Sequence, residues 1–142
     1  MASECLFCQI RSGKIPAAIV VEDEHTLAFL DHRPLFPGHC LLIPKEHIET
    51  LADLPPPAIP TLFGTAQVLA KAMEMGLGSE GSFLAINNRI SQSVPHLHVH
   101  VVPRRKKDGL KGFFWPRGKY KDEEEMEVVR KVLEDAVRRL RA

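Results

Sequence analysis

Three of the chain's seven histidines fall within five residues, His96-Leu97-His98-Val99-His100. In a strand, side chains at i, i+2 and i+4 share one face. The three imidazoles then line up, and Leu97, Val99 and Val101 turn toward a core. Two chemistries use imidazoles gathered this way. A catalytic zinc is held by a His-x-His pair and a third ligand, with one position open to water. Alternatively, one neutral imidazole is the nucleophile while its neighbours fix its tautomer and stabilise developing charge. Just upstream, Asn87, Asn88, Gln92 and Ser93 supply hydrogen-bond donors and no carboxylate. Donors suit an oxyanion or a phosphate, whereas a hydrolytic zinc wants an acidic partner. The residues favour nucleophilic catalysis on a phosphate, with a zinc hydrolase as the alternative.

Two of the three cysteines form a Cys5-x-x-Cys8 pair. Three cysteines cannot all pair with one another, and no basic segment followed by a long apolar run marks the N-terminus for export. The pair therefore reads as metal binding or redox chemistry in a reducing compartment, with the cytoplasm as the expected location. Cys40, within a predicted strand, reads as a small buried hydrophobe.

Positioning these residues requires a small mixed domain. Residues 17–22 and 26–31 are predicted as strands of a hairpin around Asp23-Glu24-His25, with 39–44 as a third strand after the Arg33–Gly38 turn chemistry. A short helix is expected over 46–53, ended by Pro55-Pro56-Pro57. A longer one spans about 57–75, where Leu62, Phe63, Ala66, Leu69, Ala70 and Met73 recur at helical spacing up to Gly76-Leu77-Gly78. Residues 81–87 and 96–103 read as the fourth and fifth strands. Asp122-Glu123-Glu124-Glu125 opens a helix over about 122–141, with Met126, Val129, Leu133, Val137 and Leu140 in one stripe. Strands joined by hairpins, with helices packed on them, make an α+β domain.

At 142 residues and 15.9 kDa the chain suits one domain, 1–142. Hydrophobic residues at 44% and charged residues at 26% exclude a disordered chain, and no apolar run approaches a membrane span. A net charge of +1 gives no general drive toward nucleic acid. Its distribution is uneven: residues 104–121 carry eight basic side chains and one acidic. This basic loop, which includes Phe113, Phe114, Trp115 and Pro116, reads either as a solvated segment or as an attractor of polyanionic small molecules that sets specificity.

The stretch Gln92-Ser93-Val94-Pro95-His96-Leu97-His98-Val99-His100-Val101-Val102-Pro103 resembles the signature of the histidine triad (HIT) superfamily. Cys5-Leu6-Phe7-Cys8-Gln9-Ile10, Lys14-Ile15-Pro16, Leu27–Asp31 and Pro37–Ile48 resemble its Hint-like branch in order and spacing, so that the likeness covers about residues 5–105. The resemblance implies a five-stranded antiparallel sheet with one long helix, the chain's C-terminal helix being additional. It implies His98 as a nucleophile that takes up a nucleoside monophosphate, His100 and His39 as flanking histidines, and Ser93 and Gln92 as donors to the phosphate. Asp31 is implied at the ribose, with Phe7, Ile10, Ile15 and Phe29 as apolar walls for the base. Asn87 is a further phosphate contact. The loop before His96 is shorter than in many Hint-like proteins and Ser91 stands at a glycine position, so Asn88 is an alternative to Asn87.

The same resemblance implies a structural zinc held by Cys5, Cys8, His47 and His96, a closed Cys2His2 set. No organic cofactor is expected. A homodimer through the long helix and an edge strand is implied too. The expected activity is cleavage of a nucleoside monophosphate, favouring purines, from an amine or phosphate leaving group, as a phosphoramidase or a dinucleoside polyphosphate hydrolase. A nucleotide-binding regulatory module with negligible turnover is the alternative. Neither nucleic acid nor membrane is expected as a partner.

Overall fold

The computed structural model describes residues 4–111 and 117–142, so Phe113, Phe114, Trp115 and Pro116 of the basic loop lie outside the described residues. The chain forms two compact units, Met1–Asp108 and Gly109–Ala142.

The first unit is built on a five-stranded sheet: β1 (Ile19–Glu22), β2 (Thr26–Leu30), β3 (Cys40–Pro44), β4 (Gly81–Ala85) and β5 (Val99–Arg104). Their order is β1-β2-β3-β5-β4, every neighbouring pair antiparallel, which is the predicted α+β architecture. In the hairpin turn, the Asp23 carboxylate accepts from the His25 and Thr26 amides at 2.8 and 2.7 Å and from the Thr26 hydroxyl at 2.8 Å. Alternation divides the central strands between two faces. Ala28, Cys40, Leu42, Val99 and Val101 pack against Leu62, Ala66, Leu69 and Met73 of α2 (Ile59–Leu77). Leu27, Phe29, Leu41 and Ile43 pack on the other face with Cys5 and with Phe7 of α1 (Leu6–Arg11). The central strands are thus apolar on both sides, and the second face carries the site.

α2 begins at prolines and ends where Gly78 turns left-handed, at φ 66°, its N–H bonded to the Glu74 carbonyl at 3.1 Å. In the second unit, α3 (Glu123–Arg141) opens on Asp122, whose carboxylate accepts from the Glu125 amide at 2.8 Å. Acids crowd its first turn and arginines its last, matching the helix dipole.

The expected helix over 46–53 is reduced to one 3-10 turn at Leu51–Asp53. Its carbonyls serve the neighbouring loop instead: Ile48 O accepts from the Leu97 amide and Glu49 O from Gln92 Nε2, both at 2.6 Å. The fifth strand also starts late, at Val99, so only His100 of the three histidines lies in the sheet. The same Ile48–Leu97 bond, with a His96 N–H to Val94 O turn at 2.8 Å, holds residues 96 and 97 out of the β3 ladder. Helix α1 was not anticipated; six residues are too few to show a period.

Candidate functional site

On the face away from α2 a cavity of about 760 Å³ opens between α1, the start of β1 and the histidine segment. That volume lies in the range of small-molecule sites, about 300–1,000 Å³. Phe7, Ile10, Ile15 and Phe29 line it, as do Asp31, Ser93, His98 and His100. Eight of the expected site residues thus converge on one cavity. Phe7 is 4% exposed and stands edge-on to Phe29 (centroids 5.4 Å apart) and to His98 (5.0 Å). Its ring is therefore both core and wall.

Hydrogen bonds fix the ring orientation of the histidines at and behind the cavity. A carbonyl only accepts, so His98 Nδ1 donates to His96 O at 2.7 Å. The proton of a neutral His98 is thereby held on Nδ1, and Nε2 keeps its lone pair. Burial pushes the His98 pKa down, against upward pulls from the His96 carbonyl and from Asp31. The ring is consequently neutral near neutral pH. His39, 3% exposed, sits behind His100 with Nε2 3.0 Å from His100 Nδ1 and 3.8 Å from Asp31 Oδ2. Burial also lowers His39, opposed by Asp31. His100 is pushed down to about 4 by burial and by its two histidine neighbours.

Gln92 does not line the cavity. Its amide is committed to the loop, with Nε2 donating to Glu49 O at 2.6 Å and Oε1 accepting from the Arg89 amide at 2.8 Å. Asn88 is committed too, its Oδ1 accepting from the Leu51 amide at 2.8 Å. Asn87 is exposed and does not line the cavity. Arg89 and Ser91 in this loop both have positive φ, 67° and 60°. Leu41, Val94 and His32 also line the cavity and escaped the sequence reading, since neither type nor spacing marks them.

A second cluster lies directly behind the histidine segment. Cys5, Cys8, His47 and His96 bring four ligand atoms within 4.8 Å of one another. Cys5 Sγ is 3.4 Å from His96 Nδ1, Cys8 Sγ is 3.3 Å from His47 Nδ1, and Cys8 Sγ is 3.6 Å from His96 Nδ1. These separations match the S···N edge of a tetrahedron around a zinc-sized ion, about 3.6 Å from ordinary bond lengths. His96 Nε2 donates to Pro44 O at 2.8 Å, which aims the Nδ1 lone pair at the thiols. Burial and the neighbouring Cys5 raise the Cys8 thiol to about 11. The donor set fits a metal ion.

A buried imidazole with a bare nitrogen thus lies in an apolar cavity that the Asp31 carboxylate also lines. The HIT domain family model matches residues 12–107, and the chain belongs to the HIT family. It is 38% identical over 108 residues to an adenosine 5'-monophosphoramidase of Saccharomyces cerevisiae, covering 75% of this chain and 66% of the yeast protein. Against an adenylylsulfatase of Arabidopsis thaliana it is 34% identical over 112 residues, 78% of this chain and 57% of that protein. Among solved structures, a HIT family protein from Bacillus anthracis matches with a TM-score of 0.84 at 31% identity, covering 96% of this chain and 99% of the other. A Zn-bound histidine triad family protein from Mycobacterium smegmatis matches with a TM-score of 0.74 at 37% identity, covering 96% and 99%. Among the described residues no helix is long and apolar enough to cross a membrane.

Proposed function

We propose that this chain is a nucleotidyl hydrolase that releases a nucleoside monophosphate from an amine or phosphate leaving group through a covalent intermediate on His98. The observation that carries the reading is the His98 Nδ1–His96 O bond, which leaves Nε2 as the free nitrogen of a ring lining the cavity. In the first step Nε2 attacks the α-phosphorus and forms a P–N bond as the bond to the leaving group breaks. His100 donates a hydrogen bond from Nε2 to the phosphate, and the leaving group departs with a proton taken from solvent, relayed by the Ser93 hydroxyl. In the second step water attacks phosphorus, the P–N bond breaks with its electron pair returning to Nε2, and the water's proton passes to solvent. Asp31 binds the ribose hydroxyls, and the Phe7–Phe29 slot, with Ile10 and Ile15, takes the base. Asn87 rather than Asn88 is the amide free to reach a phosphate, and Gln92 acts by shaping the loop.

The names of the yeast and plant relatives support an adenylyl, and hence purine, substrate. Rapid quenching during turnover of adenosine 5'-phosphoramidate, followed by mass spectrometry, should trap protein heavier by one adenylyl group on the peptide containing His98. Slow turnover without any trapped adduct would favour the binding-module alternative.

We assign the Cys5, Cys8, His47 and His96 set to structural zinc, which when bound supplies a fixed crosslink rather than a reacting centre, since all four positions are filled by protein. Three unpaired cysteines suit a reducing compartment such as the cytoplasm. A homodimer is supported by the outer face of α2, where Val68 is 58% exposed and Phe63 is 38% exposed, and by the edge strand β4 with Leu84 outward. A Cβ on Gly64 of that helix would meet nothing within 4 Å, which leaves room for close approach. Light scattering should give twice the chain mass.

A further inference from the structure

We propose that the main-chain N–H of Leu35 is a positioning group that sets the ring tautomers of His39 and His100 and so turns a proton of His100 toward the leaving group. The inference rests on the nucleotidyl-transfer reading above.

The Leu35 amide nitrogen lies 3.0 Å from His39 Nδ1. A backbone N–H only donates, so Nδ1 must be the unprotonated nitrogen of that ring. A neutral His39 therefore carries its one proton on Nε2. Nε2 faces His100 Nδ1 at 3.0 Å, so it donates there and makes His100 Nδ1 an acceptor. His100 in turn keeps its proton on Nε2. The order is one-way: Leu35 N–H to His39, His39 to His100, and His100 to whatever occupies the cavity it lines.

Reversal would disable the site. With its proton on Nδ1, His39 would offer His100 a lone pair. His100 would then donate from Nδ1 and present a bare Nε2 to the substrate. A bare nitrogen repels a phosphoryl oxygen and has no N–H to offer the leaving group as a hydrogen-bond donor. The loop is built to prevent this, because the His39 amide donates to Phe36 O at 3.0 Å and closes residues 35–39 around the ring.

The same amide explains a second feature. Asp31, His39 and His100 have ligand atoms close enough to share a metal ion, all within 4.8 Å. An ion on His39 Nε2 would drive the ring proton to Nδ1, head-on against the Leu35 N–H. One backbone donor thus reserves this trio for protons, while the cysteine cluster has no such obstacle.

Nitrogen-15 NMR of the histidine rings in the full-length, substrate-free protein tests the assignment, with His39 and His100 both expected as Nε2–H. Replacing Leu35 by its α-hydroxy acid keeps the side chain and exchanges the amide N–H for an ester oxygen. That variant should shift the His39 proton to Nδ1 in a large share of molecules. With adenosine 5'-phosphoramidate its kcat should fall about tenfold and KM should stay within about twofold. Leu35→Ala, which retains the donor, should behave as wild type, and Leu35→Pro should follow the ester if it folds. Wild-type rings protonated on Nδ1, or an ester variant with unchanged tautomers, overturn the proposal. A tautomer shift with unchanged kcat overturns its catalytic half. A shift in a protein that never turns over the phosphoramidate leaves the lock standing and removes the nucleotidyl reading instead.

Discussion

His96 ties the two clusters together: its carbonyl holds His98 Nδ1 at 2.7 Å while its own Nδ1 lies 3.4 Å from Cys5 Sγ. A metal at the cysteines would therefore fix the backbone that holds the His98 ring. Protein purified without chelator should contain one zinc per chain by metal analysis. Cys5→Ser should lose the metal and about 10–100-fold in kcat, the usual scale for outer-shell changes. His96→Ala should lose both metal and nearly all activity. Acid should release metal and lower the melting temperature together, because the ligands bind only when deprotonated. Full activity in a metal-free Cys5→Ser protein would separate the clusters.

Replacing His98 itself tests the nucleophile. His98→Ala should cut turnover at least a thousandfold, since water alone is a poor substitute for a fixed imidazole. Nucleotide affinity by calorimetry should stay within about tenfold, because the slot and Asp31 are untouched. Free imidazole should restore part of the rate in His98→Gly. A tenth of wild-type turnover in His98→Ala would end the assignment.

The low histidine pKa values set the pH profile. Burial lowers His98 from its ordinary 6.5, and burial with its two histidine neighbours puts His100 at about 4. The reactive form is neutral, so kcat/KM should hold through pH 6.5 and decline only below it. Half-loss at or above pH 6.5 would contradict this. The stability term has the same sense. Between 6.5 and about 4 the unfolded chain binds protons at His100 that the native state refuses, so stability is complete above 6.5 and falls with pH in that window.

How much of this was legible depended on whether a residue's role follows from its own type. The strands alternated, α2 showed its stripe, and the histidine trio and the Cys5–Cys8 pair stood out by chemistry. Asp31 and the choice of His98 came from the family resemblance. Residues governed by long-range backbone bonds were not legible. The 46–53 helix failed because Ile48 and Glu49 give their carbonyls to residues 97 and 92, more than forty positions away. Gln92 reads as a substrate donor by type, yet both ends of its amide serve the loop. The histidines were expected on one strand face; instead two precede the strand, and His96 turns to the cysteines while His98 and His100 face the cavity. The Leu35 amide is invisible in a sequence, since every residue but proline carries one.

Gly38 offers the last test. It holds φ at +103°, where a side chain is strained, and a Cβ there would meet Leu77 Cδ1 at 2.5 Å and Pro103 Cγ at 3.4 Å. Gly38→Ala should therefore destabilise the protein by about 1–3 kcal/mol in urea unfolding. Two causes contribute, and they can be parted. Leu77 is 46% exposed, so Leu77→Ala alone should be mild, and in the double variant it removes the clash while the backbone strain persists. The double variant should recover part of the loss, not all of it. Because Gly38 leads straight into His39, whose ring and amide bond back to Leu35 and Phe36, the displaced loop should lower kcat more than it raises KM. Equal deficits in Gly38→Ala and Gly38→Ala/Leu77→Ala would assign the whole effect to φ. Unchanged stability in Gly38→Ala would show that the loop packs differently against α2.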